Sequence, residues 1–282
     1  MRVSVIGLGI IGGTWARNLA ADGHDLRTWN RTAKPDAPGW TADIAAAVRG
    51  AELVMIVVAD PAAVASVIDR IAPVLTPGMT VCQHSTIGVD DTRSAAAAVR
   101  SHGARFLDMP FTGSKPAAEK RESVFFAGDD DGALAAVAPV LAKLSKAILP
   151  TGGVGSATAI KLSFNLLIAG INQAMAEALT LANRAGIAPE AWFDALEYNV
   201  ARSKLVDLKK PKWLAGDWSP QFSIKHLRKD LRLALALAQQ HGVDLPSATS
   251  DERTLGVAEA RGMADLDFAA VLDVVRGDHP PA

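Results

Sequence analysis

The stretch "RVSVIGLGIIGGTWARNLAADGH", residues 2–24, decides the fold. A short β-branched run leads into Gly7-x-Gly9-x-x-Gly12, a helical pattern follows, and a second strand is predicted near residue 26. In this context Gly7 permits a tight turn, Gly9 lets the backbone approach a pyrophosphate, and Gly12 allows close packing of helix on strand. We therefore predict a dinucleotide-binding turn made of Gly7, Leu8, Gly9, Ile10, Ile11 and Gly12. The alternative is a glycine-rich turn that binds no ligand.

Asn30, Arg31 and Thr32 stand at the end of the second predicted strand, where many chains with this glycine pattern carry an acidic residue. An acidic side chain there accepts hydrogen bonds from ribose hydroxyls and repels a 2′-phosphate, which this tripeptide cannot do. Arg31 can stack on adenine and pair with phosphate, while Asn30 and Thr32 offer hydrogen bonds. The tripeptide thus favours NADP(H). The alternative is that Asn30 or Thr32 caps the next turn and Arg31 is solvated.

Composition limits the class of protein. The chain has 282 residues, 49% of them hydrophobic and 21% charged, which is typical of a soluble globular protein with one large or two medium domains. With 29 basic and 30 acidic residues there is no bulk charge to attract nucleic acid or a membrane surface. The N-terminus enters a strand at once and no apolar run is long enough to span a bilayer, so we expect a cytoplasmic protein without a secretory signal.

Cysteine usage excludes further classes of site. Cys82 is the only cysteine, so neither an internal disulfide nor a cysteine-based metal site can form, and we expect no metal centre. We interpret Cys82 as a small buried hydrophobic residue.

The first half of the chain alternates short β-branched runs with alanine-rich helical stretches such as 13–21 and 62–71. This pattern predicts an α/β fold with a mostly parallel, doubly wound sheet. The predicted strands are residues 3–6, 26–29, 53–58, 80–83, 105–107, 123–127 and 146–149.

The pattern changes after "TGGVGS", since no strand is predicted beyond residue 152. We predict helices at about 157–185, 189–199, 223–241 and 247–261, a domain boundary near Gly155, and domains 1–155 and 156–282. The first helix would be ~40 Å long and crosses between the domains. It is apolar on most sides, which predicts burial all round and suggests contact between subunits. The polar, proline-rich tail is predicted to be disordered.

Three stretches carry candidate chemistry. Thr112, Gly113 and Ser114 offer hydroxyl and backbone N–H groups that could hold a carboxylate, although they could equally be an ordinary loop. Lys161 and Asn165 are four residues apart near the start of the long helix, so they share the face toward the domain junction. A lysine ammonium there can donate the proton that carbonyl reduction requires; the alternative is that Lys161 reaches the surface. Lys229 and Asp230 lie on an amphipathic helix, where surface charge is the usual interpretation.

Together these stretches resemble the β-hydroxyacid dehydrogenase family, which includes 3-hydroxyisobutyrate dehydrogenases and glyoxylate/succinic semialdehyde reductases. The resemblance covers nearly the whole chain and implies a Rossmann-type domain followed by an all-helical domain, joined by a long interdomain helix. It implies that Lys161 is the catalytic lysine, Asn165 its companion, Thr112-Gly113 the substrate loop, and Lys229 a lysine that closes over the nicotinamide. On the same basis we assign two further groups: Ser85, Thr86 and Ser114 to the substrate, and Val58, Ala59, Thr86 and Lys229 to the cofactor.

The sequence also departs from the family pattern. Thr112 replaces the usual serine of the substrate loop, and "KRES" follows Glu119 where an Asp-Gly pair is usual. Both changes bear on the choice of substrate more than on the chemistry. The related imine reductases generally lack a lysine at the position of Lys161, which favours carbonyl over imine reduction.

We therefore predict an NADPH-dependent reductase of small aldehydes or keto acids, reversible as a hydroxyacid dehydrogenase, with Lys161 as general acid and base. An imine reductase is one alternative. A non-catalytic NADP(H)-binding sensor or scaffold is an alternative of another class. The expected partners are a small-molecule substrate and a second copy of the chain, in a homodimer or homotetramer, with neither nucleic acid nor membrane.

Overall fold

The computed structural model describes residues 1–277. The tail predicted to be disordered lies outside the described residues from Asp278 onward. By their internal contacts, the residues form two compact units, Met1–Lys161 and Leu162 onward. No helix among residues 1–277 is both long enough and apolar enough to cross a membrane.

The first unit is built on one eight-stranded sheet, with strands β1 to β8. Neighbouring strands follow the order β2-β1-β3-β4-β5, all parallel, and β5 is followed by the antiparallel β7. The short β6 continues the register of β5 along β7, and β8 pairs with β7 in parallel. The strands are Arg2–Ile6, Asp25–Trp29, Leu53–Ile56, Thr80–Gln83, Arg105–Asp108, Phe111–Thr112, Ser123–Gly128 and Ser145–Gly152.

Six helices accompany these strands and cover both faces of the sheet. Alternate residues of β3 point to opposite sides: Val54 and Ile56 belong to one apolar cluster, whereas Leu53 and Met55 belong to another. Both faces are therefore buried, which confirms the predicted doubly wound sheet. The helices α1 to α6 are Ile10–Ala21, Ile44–Val48, Pro61–Ile71, Val89–Arg100, Lys115–Glu119 and Leu134–Leu141. Cys82 is fully buried among apolar side chains, as predicted.

The helix α7, Ser156–Arg184, continues from the first unit into the second, where the residues up to Gly277 form five further α-helices. These are α8 to α12: Pro189–Leu196, Lys204–Ala215, Ile224–Gln240, Pro246–Ala260 and Val271–Arg276. They enclose a third apolar cluster that includes Phe193, Trp213, Leu227 and Phe268. The helical second half is thus confirmed.

Several helices and one strand were absent from the sequence prediction, and for two of these elements, α9 and β6, the physical reason is visible in the structure. The helix α9 has no apolar stripe, because two of its lysines are buried; Lys209 Nζ lies 2.7 Å from Asp267 Oδ1, and Lys212 Nζ lies 2.6 Å from the Ser219 carbonyl oxygen. The strand β6 has only two residues, too few for a periodic pattern, and lies in a segment interpreted as a loop.

The prediction that α7 is buried all round was wrong for the single chain. Leu167 is 56% exposed and Leu181 is 72% exposed, and Ala174 and Ala178 between them are also exposed. These four residues recur at helical spacing, so they form one apolar face. The expected homodimer or homotetramer stays a prediction.

Asp251 of α11 generates a prediction about pH. Burial, and secondarily the charge of Glu177, raises the pKa of Asp251 from 3.8 to about 6. Between pH 3.8 and about pH 6, the Asp251 carboxyl keeps its proton in the folded protein but has released it in the unfolded chain. Stability from this group is therefore present at low pH and lost as pH rises through about 6. We expect Asp251→Asn to stabilise the protein at pH 8 by roughly 1–3 kcal/mol and to have a clearly smaller effect at pH 4.5, where most Asp251 carboxyl groups of the folded protein hold a proton.

Urea unfolding of both proteins at the two pH values measures this difference. Asp36→Asn, at an exposed aspartate, is the control and should change stability at neither pH. An Asp251→Asn effect of equal size at pH 4.5 and 8 would contradict the assignment.

Candidate functional site

The glycine-rich turn joins β1 to α1 and depends on the absence of two side chains. Gly7 has φ +103°, and a β-carbon there would overlap the carbonyl oxygen of Val57. A β-carbon at Gly12 would overlap the carbonyl oxygen of Gly7. By contrast, a β-carbon at Gly9 would have no atom within 4 Å. Gly9 is also the N-cap of α1, and no side chain caps the helix there. The turn is therefore open at Gly9, beside the N–H groups that attract phosphate.

The segment after β2 supports this turn through the peptide groups of Leu8. Asn30 Oδ1 accepts a hydrogen bond from Leu8 N at 2.9 Å, and Asn30 Nδ2 donates to the Thr32 carbonyl oxygen at 2.8 Å. Lys34 Nζ donates to the Leu8 carbonyl oxygen at 2.6 Å. Arg31 and Thr32 are exposed. The structure therefore brings Asn30, Arg31 and Thr32 to the turn, with Asn30 facing the protein and Arg31 facing solvent.

Lys34 was missed by the sequence prediction. In the sequence, Lys34 is only a second positively charged residue shortly after a strand end that lacks an acidic residue. A single lysine in a loop is usually solvated, so this signal was too weak to predict a contact. Together Arg31 and Lys34 make this end of the site cationic.

The ends of β3 and β4 lie along the same edge of the sheet, because the parallel strands place their carboxyl ends together. Ser85 Oγ accepts a hydrogen bond from Val58 N at 2.8 Å, which joins the two strand ends. Gln83 Nε2 donates to the Ser85 carbonyl oxygen at 2.9 Å, which fixes the main chain of the same residue. Ser85 is buried, Thr86 is half-buried and Ala59 is exposed. Ser85 therefore braces the edge, and Thr86 and Ala59 remain accessible.

These observations fit a bound dinucleotide. The space at Gly9, the uncapped start of α1, and the cations Arg31 and Lys34 supply room, N–H donors and positive charge for phosphates. The accessible edge at Ala59 and Thr86 continues this surface along the ends of the strands.

The predicted substrate loop is more ordered than expected. Thr112 belongs to β6, Gly113 has φ +118°, and Ser114 is the N-cap of α5; all three are partly exposed. The preceding Phe111 packs edge-on against Trp15 of α1, with ring centroids 4.9 Å apart. The loop is thus anchored to the helix that begins at the glycine-rich turn.

His84 is a second feature that sequence reasoning missed. It is fully buried, its ring lies 5.2 Å from that of Trp15, and Nδ1 is 2.7 Å from the Met109 carbonyl oxygen. Burial lowers the pKa of His84 to about 4. The ring is therefore neutral at pH 7, with the proton assigned to Nδ1 because a carbonyl only accepts. His84 connects the strand end that carries Ser85 and Thr86 to the aromatic side chains beneath the substrate loop.

Lys161 and Asn165 lie one turn apart on α7. Lys161 is half-buried, whereas Asn165 is only 1% exposed. Asn165 Nδ2 donates to Asp230 Oδ2 at 2.6 Å, and Lys229 Nζ donates to Asp230 Oδ1 at 2.6 Å. Among residues 1–277, Asn165 Oδ1 is a buried acceptor without a hydrogen-bond partner. The structure therefore brings the predicted residues Asn165 and Lys229 together.

Asp230 makes that connection and was not among the predicted site residues. The adjacent Lys-Asp pair marked it in the sequence, but surface charge was the more common interpretation. It is 3% exposed, so the interpretation as surface charge does not hold for Asp230.

Comparison with known proteins identifies the family. Residues 2–153 match the family described as the NAD-binding domain of 6-phosphogluconate dehydrogenase, and residues 155–275 match the family described as NAD-binding of NADP-dependent 3-hydroxyisobutyrate dehydrogenase. The chain belongs to the β-hydroxyacid dehydrogenase family. It is an NAD(P)-dependent oxidoreductase.

Individual members show how far the likeness extends. Glyoxylate/succinic semialdehyde reductase 1 of Arabidopsis thaliana is 29% identical over 285 residues, which cover 98% of this chain and 99% of the relative. The 3-hydroxyisobutyrate dehydrogenase of Mycobacterium tuberculosis, solved with L-serine, has a TM-score of 0.89 and 26% identity, covering 98% of this chain and 99% of that one. An imine reductase from Pseudomonas sp. has a TM-score of 0.64 and 24% identity, with 97% and 98% coverage, and shares the fold.

The two glycines Gly9 and Gly12 generate a paired prediction. Gly9→Ala adds a methyl group in open space, so we expect thermal stability to be unchanged and dinucleotide affinity to fall by at least tenfold. Gly12→Ala places a methyl group against the Gly7 carbonyl oxygen, so we expect a loss of stability of a few kcal/mol. Thermal unfolding without ligand and titration with NADPH and NADH separate the two effects. Unchanged affinity in Gly9→Ala would show that phosphate does not approach this turn.

Proposed function

We propose that the protein catalyses reversible hydride transfer between NADP(H) and a small aldehyde or keto acid, with a hydroxyacid as the reduced product. The observation that carries this proposal is the combination of a cationic turn after β2 with a half-buried lysine, Lys161, on α7. The glycine-rich turn and its surroundings support dinucleotide binding, and Lys161 supports proton transfer at a carbonyl oxygen.

Preference for NADP(H) over NAD(H) is proposed from the residues at the end of β2. Asn30 occupies the position where an acid would repel a 2′-phosphate, and its amide is hydrogen-bonded to Leu8 and Thr32. The side chains of Arg31 and Thr32 are exposed beside it, and only the main-chain carbonyl of Thr32 takes part in those bonds. A guanidinium and a hydroxyl suit a phosphate dianion, to which charge-assisted hydrogen bonds are strong.

Arg31→Ala tests this preference. We expect the Kd for NADPH to rise about 10- to 100-fold, because a charge-assisted contact is lost, while the Kd for NADH changes less than twofold. Titration of the protein with each cofactor, followed by nicotinamide fluorescence, gives both constants. Arg27→Ala, at an exposed arginine of the same strand β2, is the control and should change neither. Equal losses for both cofactors in Arg31→Ala would contradict the 2′-phosphate contact.

The proposed chemistry assigns one role to each group. The nicotinamide, when bound, supplies a hydride to the carbonyl carbon. The Lys161 ammonium donates a proton to the carbonyl oxygen, and in the reverse direction the neutral amine accepts it. The Gly113 N–H, with the hydroxyls of Thr112 and Ser114, holds the substrate carboxylate. Asn165, one helical turn after Lys161 on α7, orients the lysine.

The substrate class follows from these donors. Glyoxylate and succinic semialdehyde, which appear in the name of the Arabidopsis relative, each contain an aldehyde and a carboxylate. The aldehyde carbonyl can accept a proton from Lys161, and the carboxylate can accept hydrogen bonds from the hydroxyl-lined loop. The methyl group of Thr112 narrows the loop relative to a serine, which favours the smaller acids.

Lys161→Ala and Lys161→Arg test the role of the lysine. We expect both variants to bind NADPH normally and to lose about 100- to 10,000-fold in kcat, the usual contribution of general acid catalysis. Arginine keeps the positive charge but does not release its proton, so it separates proton transfer from electrostatics. Turnover is measured with glyoxylate and succinic semialdehyde under saturating NADPH. Retained turnover in Lys161→Ala would reject the assignment.

The same assay decides between the alternatives. A panel of cyclic imines run beside the semialdehydes and keto acids is expected to give much slower rates. Faster imine reduction would make the protein an imine reductase. If NADPH binds and stabilises the protein but nothing in the panel is reduced, a sensor or scaffold is the better description.

A further inference from the structure

Asp108, the last residue of β5, is fully buried and does not belong to the site described above. Its Oδ2 accepts hydrogen bonds from Gly155 N and Thr158 N, both at 2.9 Å, and its Oδ1 accepts one from Thr158 Oγ1 at 2.6 Å. All these donors lie at the start of α7, where helix N–H groups have no partner within the helix. A strand residue thus caps this helix, with its negative charge at the positive end of the helix dipole.

A second contact fixes the same turn of α7 to α4. Thr158 Oγ1 lies 3.0 Å from Thr92 Oγ1, and Thr92 Oγ1 lies 2.9 Å from the Gly88 carbonyl oxygen. Because a carboxylate only accepts, the hydroxyl proton of Thr158 is directed to Asp108, whereas the single hydroxyl proton of Thr92 has two acceptors within reach, the Gly88 carbonyl oxygen and Thr158 Oγ1. Thr158 and Thr92 are both buried, so solvent does not compete for these bonds.

Lys161 follows Thr158 by three residues and lies on the same side of the helix. Asp108 precedes Thr112 by four residues in a continuous antiparallel register with β7. One carboxylate is therefore joined through the chain to the substrate loop and through hydrogen bonds to the helix turn that carries the lysine. A shift of that turn would move Lys161 relative to Thr112.

We propose that Asp108 is a positioning residue for proton transfer, which holds the first turns of α7 so that Lys161 and the substrate loop keep a fixed separation. This inference rests on the proposed role of Lys161. Burial raises the pKa of the Asp108 carboxyl, and the hydrogen bonds from Thr158 and Gly155 oppose that rise.

The test uses threonine variants, because Asp108→Asn can fail to fold. Thr158→Val removes the hydroxyl with little change of shape, and Thr158→Ser keeps it. Thr80→Val is the matched control, since Thr80 is fully buried in β4 and its hydroxyl has no partner among the described residues. Each full-length variant is measured by hydrogen exchange of peptides covering residues 154–162, by NADPH affinity, and by the pH profile of kcat.

We expect Thr158→Val to exchange faster in those peptides, to bind NADPH unchanged, and to lose about 3- to 10-fold in kcat. Its kcat should also depend less on pH in the alkaline range, because a misplaced lysine contributes less of the rate. Asp108→Asn, if folded, should show the same pattern with a loss on the order of 100-fold. Thr158→Ser and Thr80→Val should match the wild type.

Two results would overturn the proposal. One is faster exchange in Thr158→Val with kcat and its pH profile unchanged, which would make the cap purely structural. The other is a loss of kcat by the same factor at every pH, because a sample with a fraction of unfolded protein would give that result. Lys161→Ala is measured in parallel. If Lys161→Ala stays active, the proposed function itself has failed; if it is inactive, either of the two results above bears on Asp108 alone.

Discussion

Between Gly7, Gly12 and Val57 the backbones approach so closely that no β-carbon fits at either glycine. This contact sets the angle at which α1 leaves β1, and hence where the N–H groups at the start of α1 point. It also exposes both peptide groups of Leu8 to the segment after β2, where Asn30 and Lys34 bind them. The open space at Gly9 is what remains once these contacts are made. The dinucleotide site therefore depends on a steric constraint within the main chain, to which side chains add charge and bracing.

Polar side chains along the sheet edge fall into two groups with different tasks. The buried ones, Ser85, Gln83 and Asp108, bind main-chain N–H or carbonyl groups of neighbouring segments. The accessible ones, including Arg31, Thr86 and Thr112, are carried by segments that the first group holds. Buried polar groups need fixed partners because an unpaired one is costly, whereas accessible groups can exchange water for a ligand. The same edge thus combines rigidity with the ability to bind.

Much of this architecture could be predicted from the sequence, because the patterns that identify it are local. The glycine turn, the strands β1 to β5, and α7 each leave a periodic or positional signal within a few residues. Features that depend on distant partners left none: the buried lysines of α9 are stabilised by Asp267 and by a loop carbonyl, and His84 is neutral because of its surroundings. The site followed the same rule. Lys161 and Asn165 were predicted from their spacing, whereas Asp230, Lys34 and Asp108 make contacts with residues 26 to 65 positions away, which only the fold creates.

The double hydrogen bond of Asn30 has a consequence for how cofactor preference can change over evolution. An aspartate at this position would keep the acceptor for Leu8 N but lose the donor to the Thr32 carbonyl oxygen, leaving two oxygens facing each other. Asn30→Asp, the most direct single substitution toward a strand end that binds NAD(H), therefore destabilises the fold. The Arg31 side chain is exposed and does not take part in these two hydrogen bonds, so we expect substitutions of Arg31 to have little effect on folding stability. Under the proposed preference for NADP(H), a change toward NAD(H) would begin with loss of the Arg31 cation, and an acid at position 30 would come later.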